Sequence, residues 1–311
     1  MARPKLIAII GAGIAGLSAA KTLAEFGHSV AIFEKSRGLG GRLATKRVGD
    51  FAFDHGAQYF TVQKDSFKSI INDAIKAGYA AEWEANRFVG IPGMSSFARI
   101  LLGQCDVHFG RTIQTIARKG DYWSLCDING EQVDGFDAVI LALPSPQIAT
   151  ILKNSSVKLD AIGALDYHPC WALMLAFNSG ADFNAQTLTP DDPIIAWIAE
   201  NSAKPNRATT HRTFVVHATP AWSVDHLEAN AEDICKMLRS KFKEITEIKA
   251  EPTMVLAHRW RYARVIEPLG HAFVWDEKQC LGACGDWAIG SRIEDAFISG
   301  HMLAKTCFNE R

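Results

Sequence analysis

Apolar and polar positions along the chain predict alternating strands and helices at its beginning. Residues 5–10 form an apolar run of strand length, and a glycine turn separates them from a helical pattern that stops at Gly27. Ser29–Phe33 then returns as a second strand, and Phe136–Leu143 has the continuous apolar character of a buried parallel strand. The pattern therefore predicts an α/β fold of Rossmann type, with helices packed on a parallel sheet.

The middle of the chain has a different pattern, rich in strands. Three segments from Val107 onward read as strands, and Lys119-Gly120-Asp121 and Asn129-Gly130 have the composition of hairpin turns. Further on, four more strands and one long helix are predicted, and together they indicate a smaller α+β domain with a mixed or antiparallel sheet. These elements are Trp171–Phe177, Ile194–Glu200, Thr213–Thr219, Ala229–Ile245 (the helix) and Thr253–Ala263.

Shorter signals complete the division of the chain. We expect a helix over Ser66–Ala77, a short helix through Leu102 capped by Ser95 or Ser96, and a strand at residues 279–287 followed by a terminal helix. The two prolines in residues 144–146 are expected to stop both helix and strand. The predicted Rossmann-type domain comprises residues 1–78, 98–150 and 272–311, and the second domain comprises 79–97 and 151–271.

Composition places the chain among globular proteins of ordinary charge. It has 311 residues, of which 48% are hydrophobic, and a formal net charge of −1, which gives no reason to expect a nucleic-acid or anionic-membrane surface. No apolar run has the roughly 18–20 residues needed to cross a bilayer. The seven cysteines are spaced irregularly, unlike a disulfide framework, so a reducing, cytoplasmic setting is expected, and no metal site is predicted.

The first glycine turn carries the strongest chemical signal. Gly11, Gly13 and Gly16 have the G-x-G-x-x-G spacing, in which the glycines permit a tight turn, close approach of a pyrophosphate and close packing of helix on strand. The helix that follows points free N–H groups at the phosphates. Glu34 ends the second strand, 23 residues after Gly11, where its carboxylate is placed to bond the ribose hydroxyls of an adenosine. Because Glu34 repels a 2′-phosphate, we expect FAD or NAD rather than NADP. A secretory signal at residues 3–20 is the alternative, but three glycines interrupt its apolar run.

A second glycine loop distinguishes a flavoprotein from a simple NAD dehydrogenase. In Arg37-Gly38-Leu39-Gly40-Gly41-Arg42, the glycine pair lets the loop lie against the pyrophosphate of a long cofactor, and Arg42 is placed to neutralise it. The alternative is a flexible basic loop. Residues 53–60 (FDHGAQYF) follow with glycine and polar groups between apolar neighbours, a turn suited to pass under an isoalloxazine ring.

These motifs together resemble the FAD-containing amine oxidase superfamily, and DHGAQYF is similar to its renalase branch. The resemblance implies non-covalent FAD, a Rossmann-type FAD-binding domain and a smaller α+β substrate domain. It also implies that the glycine pair and Arg42 contact the pyrophosphate, that Gly56–Tyr59 lines the flavin, that Asp286 bonds the ribitol, and that the backbones of Ile113 and Ile293 meet the adenine and the pyrimidine edge. The expected cofactor-binding residues are Gly11, Gly13, Ile14, Ala15, Gly16, Glu34, Lys35, Gly41, Arg42, Gly56, Ala57, Gln58, Tyr59, Ile113, Pro144, Gly285, Asp286 and Ile293.

Substrate choice is expected to lie in the strand Met254–Ala263. Side chains alternate along a strand, so His258, Trp260 and Tyr262 point one way and the intervening arginines the other. We predict that this aromatic face, with Tyr59 and Trp287, forms the catalytic pocket over the flavin. Aromatic core packing with a solvated arginine face is the alternative for each residue.

Three functions are compatible with this sequence. The resemblance implies first an oxidase of renalase type, which oxidises dihydropyridine isomers of NAD(P)H by hydride transfer to flavin N5, with O2 reoxidising the flavin to hydrogen peroxide. The second is an amine oxidase acting on a small amine; members of that branch place a Lys near N5, and residues 254–263 contain none. The third is a non-catalytic flavin-binding protein or a desaturase-like enzyme, which would need a membrane-docking face. The expected partners are thus a small molecule, either dinucleotide or amine, and O2, and the sequence carries no signal of oligomeric state.

Overall fold

The computed structural model describes residues 3–160, 162–163 and 165–309 of the chain. In chain order, the strands are β1 (Leu6–Ile10), β2 (Ser29–Glu34), β3 (Thr45–Val48), β4 (Phe51–Asp54), β5 (Ala80–Glu84), β6 (Arg87–Gly90), β7 (Asp106–Phe109), β8 (Ile113–Lys119), β9 (Tyr122–Asp127), β10 (Gln132–Phe136), β11 (Ala138–Leu141), β12 (Tyr167–Phe177), β13 (Thr187–Leu188), β14 (Ile195–Glu200), β15 (Arg212–Ala218), β16 (Met254–Val265), β17 (Val274–Asp276) and β18 (Leu281–Ala283). The α-helices are α1 (Ile14–Glu25), α2 (Asp65–Lys76), α3 (Arg99–Leu102), α4 (Ser145–Ser155), α5 (Pro220–Asp225), α6 (Ala231–Thr246) and α7 (Ile293–Phe308). Single 3₁₀ turns cover Gly41–Leu43, Met94–Ala98, Asn201–Ala203 and Asp286–Ala288.

The first domain is built on a six-stranded sheet with the order β17-β18-β11-β1-β2-β7. β1 pairs in parallel with β2 on one side and β11 on the other, and β11 pairs in parallel with β18, so only the edge strand β17 is antiparallel. The apolar runs of β1 and β11 are buried on both faces, as a sheet covered by helices requires. The predicted Rossmann-type fold and the return of the chain's last segment to this sheet are confirmed.

Helix α7 crosses α1 at a glycine. A Cβ added to Gly300 would lie 1.9 Å from the carbonyl oxygen of Ala15, so only a residue without a side chain permits this crossing. Ser18 on α1 donates a hydrogen bond to the Phe297 carbonyl at 2.7 Å across the same interface. Helices α1 and α7 are thus in direct backbone contact at Gly300 and are joined by the Ser18 hydroxyl.

The second domain contains a five-stranded antiparallel sheet with the order β13-β14-β15-β12-β16. Its long strands and α6 match the elements predicted from the sequence to within a few residues. Leu238 and Phe242 on α6 pack with Leu173 and Phe214 of the sheet in a core of its own. An antiparallel sheet backed by helices is therefore confirmed.

The structure corrects three local predictions. Val107 belongs to β7, which joins the parallel sheet, and only the strands from Ile113 onward form the separate three-stranded sheet β10-β9-β8. Residues 144–146 do not stop a helix: Pro146 lies in the first turn of α4, where proline is tolerated because the N–H it lacks has no helical partner. Neither Ser95 nor Ser96 caps a helix with its side chain. In the segment 79–97, which the sequence assigns to the second domain, Val89 and Phe97 are buried in the core that contains β1 and α1.

Within the described residues, no helix combines the length and apolar character needed to span a bilayer. The domain boundaries stay predictions.

We expect Gly300→Ala to lower the free energy of unfolding by about 1–3 kcal/mol, because its methyl group overlaps the α1 backbone. Helix propensity alone would favour alanine by up to about 1 kcal/mol, so the sign tests the contact. Urea unfolding followed by tryptophan fluorescence measures the effect. Gly163→Ala is the control, since no atom lies within 4 Å of its added Cβ. Equal stability of Gly300→Ala and the wild type would contradict the close crossing.

Candidate functional site

The first glycine loop forms a cradle at the N-terminus of α1. Gly11 has a φ of +110°, and a Cβ there would lie 2.5 Å from the Ala142 carbonyl oxygen. A Cβ on Gly16 would lie 2.1 Å from the Gly11 carbonyl oxygen, whereas one on Gly13 would meet nothing within 4 Å. No side chain caps the N-terminus of α1, and its first turn contains no acid. The loop is thus closed on the protein side, open above Gly13, and supplies helix N–H groups suited to an anion.

The second glycine loop lies directly on the first. The Gly40 N–H donates to the Ala12 carbonyl at 2.8 Å, and Gly13 and Gly40 form a parallel bridge. Gly40 and Gly41 have φ values of +101° and +56°, a conformation that glycine adopts at no steric cost. The two motifs therefore form one surface.

Glu34 ties β2 to this surface. Its side chain is buried, and Oε2 accepts a hydrogen bond from the Ala12 N–H at 2.8 Å. Oε1 accepts bonds from the backbone N–H and the hydroxyl of Ser36, at 2.8 and 2.6 Å. Each carboxylate oxygen has capacity for more than one donor, so Glu34 holds the loop and keeps acceptors for a ribose. The adjoining Lys35 is exposed.

Arg42 and Asp286 join the two ends of the chain. Arg42 Nη2 donates to Asp286 Oδ1 at 2.6 Å, and Nη1 donates to the Ala263 carbonyl of β16 at 3.1 Å. Burial disfavours the charge on Arg42, but Asp286 raises the Arg42 pKa above its ordinary value. Asp286 itself is only 5% exposed. The pair thus fixes Arg42 next to the glycine loops and β16, with its remaining N–H groups available to a phosphate.

The turn from Asp54 to Tyr59 packs against the loop that carries Arg42. The Ala57 N–H donates to the Arg42 carbonyl at 2.9 Å, and a Cβ on Gly56 would lie 1.9 Å from that same oxygen. The Gln58 amide donates to the Asp54 and Gly56 carbonyls, which fixes the turn from inside. Gly56 and Ala57 therefore contact the loop that carries Arg42, and Gln58 lies inside the same turn.

A buried cluster of charges beneath this turn was missed by the sequence analysis. Lys204 Nζ lies 3.4 Å from Asp54 Oδ2 and donates to Gln58 Oε1 at 3.2 Å, and Arg207 Nη2 donates to Asp54 Oδ2 at 2.7 Å. Although burial opposes ionisation, Lys204 and Arg207 lower the pKa of Asp54 to about 2. Burial lowers the pKa of Lys204 to about 8. Lys204 and Arg207 lie some 150 residues after Asp54, in a segment without a motif, so no sequence signal pointed to them.

The histidines in and beside this turn have lowered pKa values. Burial, together with His258 and Lys46, lowers the pKa of His55 to about 4. Burial and Lys204 lower the pKa of His217 to about 4. Its Nε2 lies 3.3 Å from the His55 carbonyl oxygen. These rings act near neutral pH as hydrogen-bonding groups without charge.

Two of the three residues on the predicted aromatic face of β16, His258 and Trp260, contact the turn. Trp260 Nε1 donates to the His55 carbonyl at 2.9 Å, and the His258 ring packs edge-on to His55 with centroids 4.7 Å apart. Tyr262 packs against Tyr167 at 5.6 Å. On the opposite face, Arg259 and Arg261 bond Glu228, so the predicted alternation is confirmed.

Trp287 does not belong to this pocket. Its side chain is fully buried in the core around β11, where Nε1 donates to the Leu143 carbonyl at 2.9 Å. Gly285 is needed because a Cβ there would lie 2.2 Å from this indole. The structure therefore places Trp287 in the core and not beside His258 and Trp260, as a tryptophan after a motif strand can equally well fill the core.

Tyr59 lies in a second aromatic group, apart from the residues of β16 to which it was assigned. Its ring centroid is 5.9 Å from that of Trp197, and the Arg87 guanidinium lies 4.7 Å from the Tyr59 ring. The remaining predicted cofactor residues lie at element ends: Ile14 and Ala15 begin α1, Ile113 begins β8, Pro144 lies between β11 and α4, and Ile293 begins α7.

FAD fits this arrangement. The uncapped N-terminus of α1, the cradle above Gly13, the buried carboxylate of Glu34 and the Arg42–Asp286 pair follow one another along a continuous set of contacts. Among the described residues, His, Cys, Asp and Glu side chains form no group of three suited to a metal ion.

Comparison with known proteins agrees with this geometry. Residues 9–74 match the family model of an NAD(P)-binding Rossmann-like domain, and residues 77–306 match that of flavin containing amine oxidoreductases. A mouse renalase is 24% identical over 292 residues, which cover 83% of this chain and 85% of that protein.

Solved structures share the fold. A candidate protoporphyrinogen oxidase from Exiguobacterium sp. 255-15 superposes with a TM-score of 0.79 at 14% identity, covering 100% of both chains. A putrescine oxidase bound to putrescine gives a TM-score of 0.64 at 13% identity and covers 97% of this chain and 98% of that one.

We expect Arg42→Met to raise the dissociation constant of FAD at least about tenfold, because it removes a charge-assisted donor and leaves Asp286 unpaired. Titration of the apoprotein with FAD, followed by flavin fluorescence, measures this constant. Arg47→Met on β3 is the control, since Arg47 is exposed. Equal FAD affinity in the two variants would argue against Arg42 as a cofactor residue.

Asp54→Asn should destabilise the protein at neutral pH by about 3–5 kcal/mol, because Lys204 and Arg207 lose their buried counter-charge. The wild-type carboxylate has a lowered folded pKa, so its contribution is present above its ordinary value of 3.8 and is lost as the pH falls toward about 2. The difference between wild type and variant should therefore shrink across that range. Urea unfolding at a series of pH values tests this, with the exposed Asp50→Asn as control. A difference independent of pH would refute the assignment.

Proposed function

Because the chain belongs to the flavin containing amine oxidoreductase family, in its renalase-like branch, we propose that this FAD-dependent oxidoreductase oxidises dihydropyridine isomers of NAD(P)H to NAD(P)+. Bound FAD would supply the hydride acceptor at N5, with O2 reoxidising it to give hydrogen peroxide.

The charge around the Asp54–Tyr59 turn carries this proposal. Around the turn and the adjoining Arg42–Asp286 pair, five cations are set against three carboxylates: Arg42, Lys46, Arg87, Lys204 and Arg207 against Asp54, Glu84 and Asp286. A positive region attracts an anionic dinucleotide and repels a protonated amine.

The side chains at the turn are also suited to a reaction without a general base. Loss of hydride from a dihydropyridine itself creates the aromatic pyridinium, so the protein has only to bind and orient the donor and to exclude water. Asp54 is ionised but bonded to Lys204 and Arg207, and the buried histidines are neutral. These groups hold the turn in place rather than remove a proton.

Amine oxidation is the second candidate, and Lys204 is the observation that favours it. The absence of lysine from residues 254–263 counted against an amine oxidase, but the structure brings Lys204 to Gln58 from a different segment. In the resembling amine oxidases a lysine lies near the flavin, so this contact keeps the candidate open.

Anaerobic reduction of the bound flavin separates the two functions. We expect dihydronicotinamide isomers to bleach the flavin at least about a hundredfold faster than putrescine at equal concentration, since only the former match the charge of the site. Stopped-flow absorbance measures both rates. Faster reduction by putrescine would favour the second candidate, and a flavin that neither compound reduces would exclude both.

A further inference from the structure

The hairpin β5–β6 is held against the end of the Asp54–Tyr59 turn. Phe60 and Phe88 exchange backbone hydrogen bonds of 2.9 and 2.8 Å, which places the hairpin beside Tyr59. On the other side, Trp197 of β14 packs against Tyr59. Three separate parts of the chain, the turn, the hairpin and β14, thus meet at one position.

Two indoles at this position have donors without partners. The Nε1 atoms of Trp83 and Trp197 are buried from solvent and have no hydrogen-bond acceptor among the described residues. A buried donor left unpaired costs free energy, roughly 1–3 kcal/mol, unless something else supplies the acceptor. The two donors lie on either side of the turn's end, since Trp197 contacts Tyr59 and Trp83 contacts Lys204, which bonds Gln58.

Strand irregularities lie at Trp83 and next to Trp197. Along the β5–β6 pairing, Glu82 faces Phe88 and Glu84 faces Arg87, so Trp83 is the extra residue of a bulge. A second irregularity lies between Ile195 and Trp197 in the β14–β15 pairing. Bulges turn side chains out of the regular alternation and are common next to active sites.

Two cations lie against the aromatic rings at this position. The Arg87 guanidinium lies 4.7 Å from the Tyr59 ring and 5.6 Å from the Trp197 ring, and Glu84 holds it by an ion pair of 2.6 Å. Lys204 Nζ lies 5.4 Å from the Trp83 ring. Lys204 is itself paired with Asp54, so no acid of this group is left to receive a substrate ammonium.

We propose that Trp83, Trp197, Tyr59 and Arg87 form the substrate-recognition pocket. The pocket takes a planar heteroaromatic ring that carries a carbonyl acceptor, as in a nicotinamide carboxamide, and an indole N–H donates to that acceptor. This rests on the proposed function and deepens it by assigning specificity to the hairpin and β14 instead of to β16.

The test uses Trp83→Phe and Trp197→Phe in the FAD-loaded enzyme, because phenylalanine keeps an aromatic ring and removes the N–H. Binding of NAD+, the product of the proposed reaction, is measured by its perturbation of the flavin spectrum. In parallel, anaerobic stopped-flow reduction by dihydronicotinamide isomers gives a dissociation constant and a limiting rate. Trp275→Phe is the matched control, since this half-buried indole packs against Phe308 at the sheet edge.

At least one of the two variants should bind NAD+ about five- to tenfold more weakly, as expected for one lost hydrogen bond, with a limiting rate of reduction within about twofold of wild type. Trp275→Phe should match wild type in both measurements. Unchanged affinity in both pocket variants, with wild-type binding intact, overturns the pocket but leaves the proposed function. A wild-type enzyme that neither binds NAD+ nor is reduced by the isomers overturns both.

Discussion

The ion pair between Arg42 and Asp286 is the contact on which the site depends. It joins residues 244 positions apart in the chain, and Arg42 also bonds the backbone of β16 in the second domain. One guanidinium therefore fixes the second glycine loop, the last strand of the first sheet and the edge strand of the second sheet relative to each other. Its planar fork of donors makes this possible, which a lysine ammonium would not do with the same geometry.

Close backbone approaches extend this constraint to the whole cofactor region. Gly16 packs α1 on the first loop, Gly56 packs the turn on Arg42, and Gly300 packs α7 on α1. At each position a methyl group would overlap a carbonyl oxygen of another segment. The surface offered to FAD is thus built largely of backbone held by rigid elements, which is the arrangement that positions a long cofactor with little cost on binding.

Beneath this surface, stability and function share one group of charges. Asp54 balances Lys204 and Arg207 inside the protein, while Gln58 connects Lys204 to the turn that is predicted to line the flavin. The neighbouring lysines, together with burial, help to keep the histidines neutral. Removing one charge therefore affects the fold, the shape of the turn and the electrostatics of the site together.

The sequence by itself determined the Rossmann-type fold, the two glycine loops and the antiparallel second sheet, because these depend on local periodicity and on glycines at fixed spacing. It could not place Trp287 in the core, deliver Lys204 to Gln58, start α4 at Ser145 or bring Trp83 and Trp197 to Tyr59. Those outcomes depend on contacts between segments far apart in the chain and, for Trp83, on a bulge in its strand. The tertiary structure alone decided them, since a side chain's environment is set by the neighbours that folding supplies and not by the residues beside it in sequence.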